Sequence, residues 1–198
     1  SALWNLATNL TNHDKIRDAG GILILVKLAE SGATNEIKKQ IASALWYLAT
    51  NSKNRDAIRT AGGIPVLVEL AKFGATDEIK GIAICTLRFL AIHNPTNQNV
   101  IRDAGVIPTL VELTKSSATN GIKIETARAL WALAINNPIN QNVIGEAGGI
   151  PVLVELAKFG ATTNQAAGAL FNLTFNPTNH DKIRDAGGIP ILVKLAKS

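Results

Sequence analysis

With 198 residues, 46% hydrophobic content and a net charge of +5, the chain has enough apolar surface for a sizeable core, which excludes a disordered or fibrous class. Its apolar runs, such as Ile64 to Val68 ahead of Glu69, fall far short of the roughly 20 residues of a membrane helix, and no basic segment followed by an apolar one opens the chain. The one cysteine, Cys85, forms no internal disulfide and favours a reducing compartment, cytoplasmic or nuclear, and the sequons at Asn9 and Asn172 are read as chance.

The first predicted element is the helix in SALWNLATN (1–9). It is echoed by SALWYLATN (43–51), CTLRFLAIH (85–93), RALWALAIN (128–136) and GALFNLTFN (168–176). An Ala-Gly turn follows each time, at Ala19, Ala61, Ala104, Ala147 and Ala186, with spacings of 42, 43, 43 and 39 residues. Periods of about 40–47 residues mark helical repeat arrays.

Each period predicts three helices. The first is short and polar, as in Asn54 to Arg59, and stops at Gly62-Gly63, where glycine permits a sharp reversal. The second, Ile64 to Ala71, carries Pro65 near its start, where a missing amide donor costs little; Pro108, Pro151 and Pro190 repeat it, and Leu23 stands there in the first copy. The third follows a hydroxyl cap and acids, as in Thr76-Asp77-Glu78. In it Ile37, Ile41, Ala44, Leu45 and Leu48 form an inward stripe at helical spacing, with Ser43, Trp46, Tyr47 and Thr50 opposite. The regular three-part period outweighs a strand reading of the Val/Ile-rich segments. Six segments result: a third helix at 1–10, repeats at 11–51, 52–93, 94–136 and 137–176, and a first and second helix at 177–198.

The Ala-Gly-Gly-Ile-Pro turn, the Leu-Val-x-Leu helix after it and Gly168-Ala169-Leu170-Phe171-Asn172-Leu173-Thr174 resemble the armadillo-repeat family, in particular catenin-type and vacuolar-type arrays. The resemblance covers essentially the whole chain. It implies an all-α fold, a right-handed superhelical solenoid of about five repeats, whose third helices line a concave groove for extended peptides or partner proteins. Neighbouring repeats would then supply most of the stability, because one three-helix unit cannot cover its own apolar stripe.

If third helices line a groove, Trp4, Trp46, Arg88, Trp131 and Phe171 form one outward column and Asn5, Tyr47, Phe89, Ala132 and Asn172 a second. Ser1, Ser43, Cys85, Arg128 and Gly168 lie one turn earlier. In the family the second column is often an asparagine ladder, which can both donate to and accept from a peptide backbone. Here only Asn5 and Asn172 keep it, and the tryptophan that importin-like members place one turn earlier is missing. Aromatic anchors remain in Trp4, Trp46, Tyr47, Phe89, Trp131 and Phe171, and Arg88 with Arg128 can pair with carboxylates or phosphates. A tryptophan flanking a core stripe also serves as a wedge between repeats. The expected partner is an extended, acidic protein segment. Nuclear-import adaptation and nucleic-acid binding are lesser alternatives, since basic and acidic residues alternate, as in Asp14-Lys15-Ile16-Arg17-Asp18.

No catalytic, cofactor or metal site is expected. His13, His93 and His180 fall in different repeats, Cys85 has no second cysteine or nearby base, and the Ala-Gly-Gly turn joins helices and follows no strand. Residues 61–76 and 147–162 are the same string, and residues 2–31 return at 169–198 with six changes. Such likeness, with no methionine anywhere, points to recent duplication, a consensus-like engineered array or a window cut from a longer one. The two ends carry complementary parts of one repeat, so a structural alternative has copies joining head-to-tail through Leu3 and Leu6 at one end and Ile191, Leu192 and Leu195 at the other.

Overall fold

A computed structural model describes residues 2–115, 119–158 and 162–197. Among them are fifteen α-helices and no strand. The chain divides into two compact units, residues 1–90 and 91–198, described separately.

The first unit runs α1 (Ala2–Ala7), α2 (His13–Asp18), α3 (Gly21–Glu30), α4 (Asn35–Ala49), α5 (Ser52–Thr60), α6 (Gly63–Phe73) and α7 (Asp77–Ala91), whose last residue belongs to the second unit. The second runs α8 (Pro95–Asp103), α9 (Val106–Lys115), α10 (Asn120–Ala134), α11 (Pro138–Glu146), α12 (Gly149–Lys158), α13 (Thr163–Leu173), α14 (His180–Asp185) and α15 (Ile189–Leu195). Short, long and longer helices thus alternate as the period predicts. Within the first unit α1 packs on α4, α2 on α5, and α3 on both α4 and α6; within the second, α13 packs on α10 and α12.

The first-to-second corner is set by two glycines with separate reasons. Gly62 has φ +84° and its N–H donates to the Arg59 carbonyl at 3.0 Å, a left-handed conformation that a Cβ makes costly. Gly63 is needed for room, since a Cβ there would lie 2.6 Å from Ile58 Cγ2 and 2.9 Å from the Ile58 carbonyl. At this corner the reversal and the tight helix contact fall to adjacent glycines, whereas before α9 Gly105 (φ +75°) makes the reversal alone and the buried Val106 follows it.

In the first unit α4 and α7 start as the sequence predicts, whereas α10 and α13 carry no acid in the first turn. Thr34 Oγ1 accepts from the Ile37 amide at 3.4 Å and Thr76 Oγ1 from the Ile79 amide at 3.3 Å, with Glu36, Asp77 and Glu78 in the first turns. Ile41, Ala44, Leu45 and Leu48 are fully buried, while Ile37, one turn nearer the helix start, is half-buried. Each buried branched side chain contributes about 1.5–3 kcal/mol relative to exposure. In the second unit Leu130, Leu133, Leu153, Val154, Leu170 and Leu173 form the same kind of core.

The corner from third to first helix rests on a polar device. A helix ends with carbonyls that lack intrahelical donors, and an asparagine meets them at four corners. Nδ2 of Asn12 donates to Leu6 O at 3.1 Å, that of Asn54 to Leu48 O at 3.2 Å, that of Asn140 to Leu133 O at 2.9 Å and that of Asn179 to Leu173 O at 3.3 Å. Asn54, Asn140 and Asn179 are completely buried. The oxygens of Asn54 and Asn140 meet the preceding repeat: Arg17 donates to Asn54 Oδ1 and Arg102 to Asn140 Oδ1, each at 3.2 Å.

Candidate functional site

In the first unit, Trp4 of α1 and Trp46 and Tyr47 of α4 surround a pocket of about 320 Å³ that Ser43 of α4 and Ile82 of α7 also line. The Trp46 and Tyr47 rings lie 4.7 Å apart and tilted by 48°. Both Trp4 and Trp46 are half-buried, with their indole nitrogens turned away from solvent. These two tryptophans therefore combine the expected roles: each packs into the helix layer and shows one edge to the pocket.

The charge around this pocket comes from residues outside the predicted columns. Glu36, Lys39 and Gln40 of α4 and Glu78 of α7 line it. Lys39 Nζ lies 2.8 Å from Glu78 Oε1, and that hydrogen bond holds the Lys39 ammonium above its ordinary pKa, against partial desolvation. Two carboxylates thus surround one engaged ammonium. Glu36, Lys39, Gln40, Ser43, Trp46 and Tyr47 follow one another at intervals of three or four or less, so a helical reading of the outward face, continued one turn earlier, identifies them.

Arg88 and Phe89 lie nearby in sequence but carry their own interaction. The Arg88 guanidinium carbon sits 4.3 Å from the Phe89 ring centroid, and its Nη2 is 3.3 Å from Cys85 Sγ. This is cation–π geometry. Asn5 is exposed.

The second unit holds Arg128, Trp131, Phe171 and Asn172. Trp131 is 42% exposed and lies over Gly168, where an added Cβ would sit 3.6 Å from the indole. Phe171, half exposed, stacks edge-on against Phe175 at 5.2 Å. Arg128 Nη1 is bonded to Glu125 Oε1 at 2.6 Å, and the Asn172 amide donates to the Gly168 carbonyl of its own helix at 2.9 Å. Ala132, assigned to the outward second column, is buried instead. The α10 face turns its small residues inward, so the second column is interrupted there by geometry as well as by residue type.

The residues assigned to an end-to-end contact are placed as follows. Leu6 is 50% exposed, Leu3, Ile191 and Leu192 are half-buried, and the Leu195 side chain and Ser1 lie outside the described residues. His13 Nε2 is 2.7 Å from Ala7 O and His180 Nε2 is 2.9 Å from Thr174 O, both structural contacts at helix ends, while His93 is exposed with φ +52°. Among the described residues no group of three or more His, Cys, Asp or Glu side chains is arranged to hold a metal. No described helix is long and apolar enough to cross a membrane.

No family model matches the sequence, and no curated protein matches it. Solved structures do. An engineered protein is 34% identical with a TM-score of 0.90, covering 100% of this chain and 81% of its own. A designed armadillo repeat protein is 25% identical with a TM-score of 0.90, covering 100% of this chain and 84% of its own. Another, solved in complex with the peptide (KR)4, is 26% identical with a TM-score of 0.88, covering 98% and 82%. Helix triplets, glycine corners and full-length matches define an all-α protein of the repeat class. The chain belongs to the armadillo-repeat family.

Proposed function

We propose that the chain is a non-enzymatic scaffold that binds extended peptide segments through the outward faces of its third helices. One observation carries this reading: Trp4, Trp46 and Tyr47, assigned from sequence to that face, line a common pocket of about 320 Å³. Large rigid aromatics beside a concavity are the residues that dominate binding energy at interfaces. A designed armadillo relative in complex with (KR)4 supports the same mode.

The charge of the peptide follows from the lining. Arg88 and Arg128 point to an acidic segment, yet Arg128 is bonded to Glu125 and Arg88 stacks on Phe89. An acidic ligand must displace those contacts. Around Trp46 the balance is reversed, with Glu36 and Glu78 against a single engaged Lys39. We therefore assign a basic or neutral side chain to this pocket, and acidic residues to the neighbourhood of Arg128 in the second unit.

Binding of fluorescently labelled basic, neutral and acidic peptide libraries tests this. Trp46→Ala and Tyr47→Ala should each weaken the selected peptides by about tenfold or more, the loss of a hot-spot aromatic. If no library is selected, or if both substitutions are silent, the scaffold reading fails. Head-to-tail self-association is the structural alternative, favoured by the exposure of Leu6, Ile189 and Val193. Light scattering over a concentration series distinguishes it, and a strictly monomeric protein refutes it.

A further inference from the structure

A second cavity in the first unit, of about 340 Å³, shares no lining residue with the aromatic pocket. It lies among the end of α3, the start of α4 and one face of α6, where Val66 and Leu70 form an apolar floor and Phe73 stands at the rim, 75% exposed. Its charged groups are Glu30, Lys38 and Glu69, and none of the three side chains has a hydrogen bond or ion pair among the described residues. That sets the two carboxylates apart from Glu78, Glu112, Glu125 and Glu155, each of which has a cationic partner within 4 Å.

The chain contains its own comparison. Residues 61–76 recur unchanged at 147–162, so α12 offers the same side chains as α6. The preceding second helix differs, because Glu30, eleven residues after its Ala-Gly turn, has Lys115 as its counterpart. In the second unit the charges are satisfied internally: Lys115 bonds Glu112 at 2.8 Å, and Glu155, the counterpart of Glu69, bonds Lys158. In the first unit Glu69 is not bonded to Lys72 and stands open with Glu30.

We infer that this cavity binds an organic cation, an amidinium, guanidinium or ammonium group carried on a compact aromatic or branched apolar body. The volume falls at the lower end of the roughly 300–1,000 Å³ typical of ligand pockets. Two unengaged carboxylates against one ammonium give the site a net negative charge that complements a cation. The apolar floor and the Phe73 ring accept the body of the ligand and its charged edge.

Benzamidine is a suitable probe, with benzoate as its anionic counterpart of the same shape. Amide NMR titration of the whole chain should show benzamidine shifting residues 66–79 and leaving the identical residues 152–158 unmoved, with benzoate inactive. Glu69→Gln should weaken binding about tenfold, the loss of one charge-assisted hydrogen bond. Glu30→Lys, which imports the second unit's arrangement at an exposed position, should abolish it while leaving peptide binding at Trp46 intact. Equal shifts in both copies of the string, equal binding of benzoate, or indifference to Glu30→Lys would each overturn the inference.

Discussion

Replacing Asn140 by alanine is the sharpest probe of what holds neighbouring repeats in register. Asn140 is fully buried; its amide donates to Leu133 O at 2.9 Å, and its oxygen accepts from Arg102 at 3.2 Å. Removing the amide strands a carbonyl at the end of α10, where no intrahelical donor exists. An unsatisfied buried acceptor costs about 1–3 kcal/mol. Arg102 keeps Asp103 at 2.8 Å and Asn99 at 2.9 Å, so its lost acceptor adds only about 1 kcal/mol. We expect a destabilisation of about 2–4 kcal/mol, read from urea unfolding followed by helical circular dichroism. A double-mutant cycle with Arg102→Met isolates the cross-repeat part, expected at about 1 kcal/mol. A change for Asn140→Ala within about 0.5 kcal/mol, the range of an ordinary surface substitution, would refute the register argument.

Three further outcomes follow from particular contacts. Gly145→Ala should lower stability by about 1–2 kcal/mol despite the helix propensity it gains, because its Cβ would fall 2.1 Å from Asn179 Oδ1, whose amide is tied to Gln141 O and Leu173 O; a raised melting temperature would contradict this. Leu45→Ala, at a site with no exposure, should cost about 2–5 kcal/mol in urea unfolding, and a loss below about 1 kcal/mol would deny Leu45 a core role. Glu78→Gln should change stability by less than about 1 kcal/mol, because the Lys39 pair is largely exposed, yet it should shift peptide selection toward acidic residues; unchanged selection would remove Lys39 and Glu78 from the site.

The fold was legible because its punctuation is local. Gly62 and Gly63, Pro65 and the Thr34 and Thr76 caps each act within a few residues, and the stripe from Ile41 to Leu48 needs only helical periodicity to be read. The aromatic pocket was legible for the same reason, since Trp46 and Tyr47 oppose that stripe. Its charge was not, because the arginines of the columns attract attention while the carboxylates of Glu36 and Glu78 sit a turn or more earlier. What decides the sign is which charges are already engaged. Arg128 with Glu125, and Lys39 with Glu78, are facts of side-chain placement that spacing alone does not fix.

The buried asparagines show a different limit and a way past it. Asn12, Asn54, Asn97, Asn140 and Asn179 each stand seven residues before an Ala-Gly turn, a column as regular as the glycines. Polar residues on a polar helix read as solvated, and the burial of Asn54 and Asn140 depends on partners 37 or 38 residues away. The arginine column that meets them is less strict: Gly145 stands where Arg17 and Arg102 stand in their repeats. There Asn179 still donates to Leu173 O, while its oxygen has no donor and rests against the glycine instead. The asparagine's donor half is therefore what the corner requires, since a helix end always leaves carbonyls to satisfy. Its acceptor half is the part a repeat can vary, which is why a glycine is tolerated at 145.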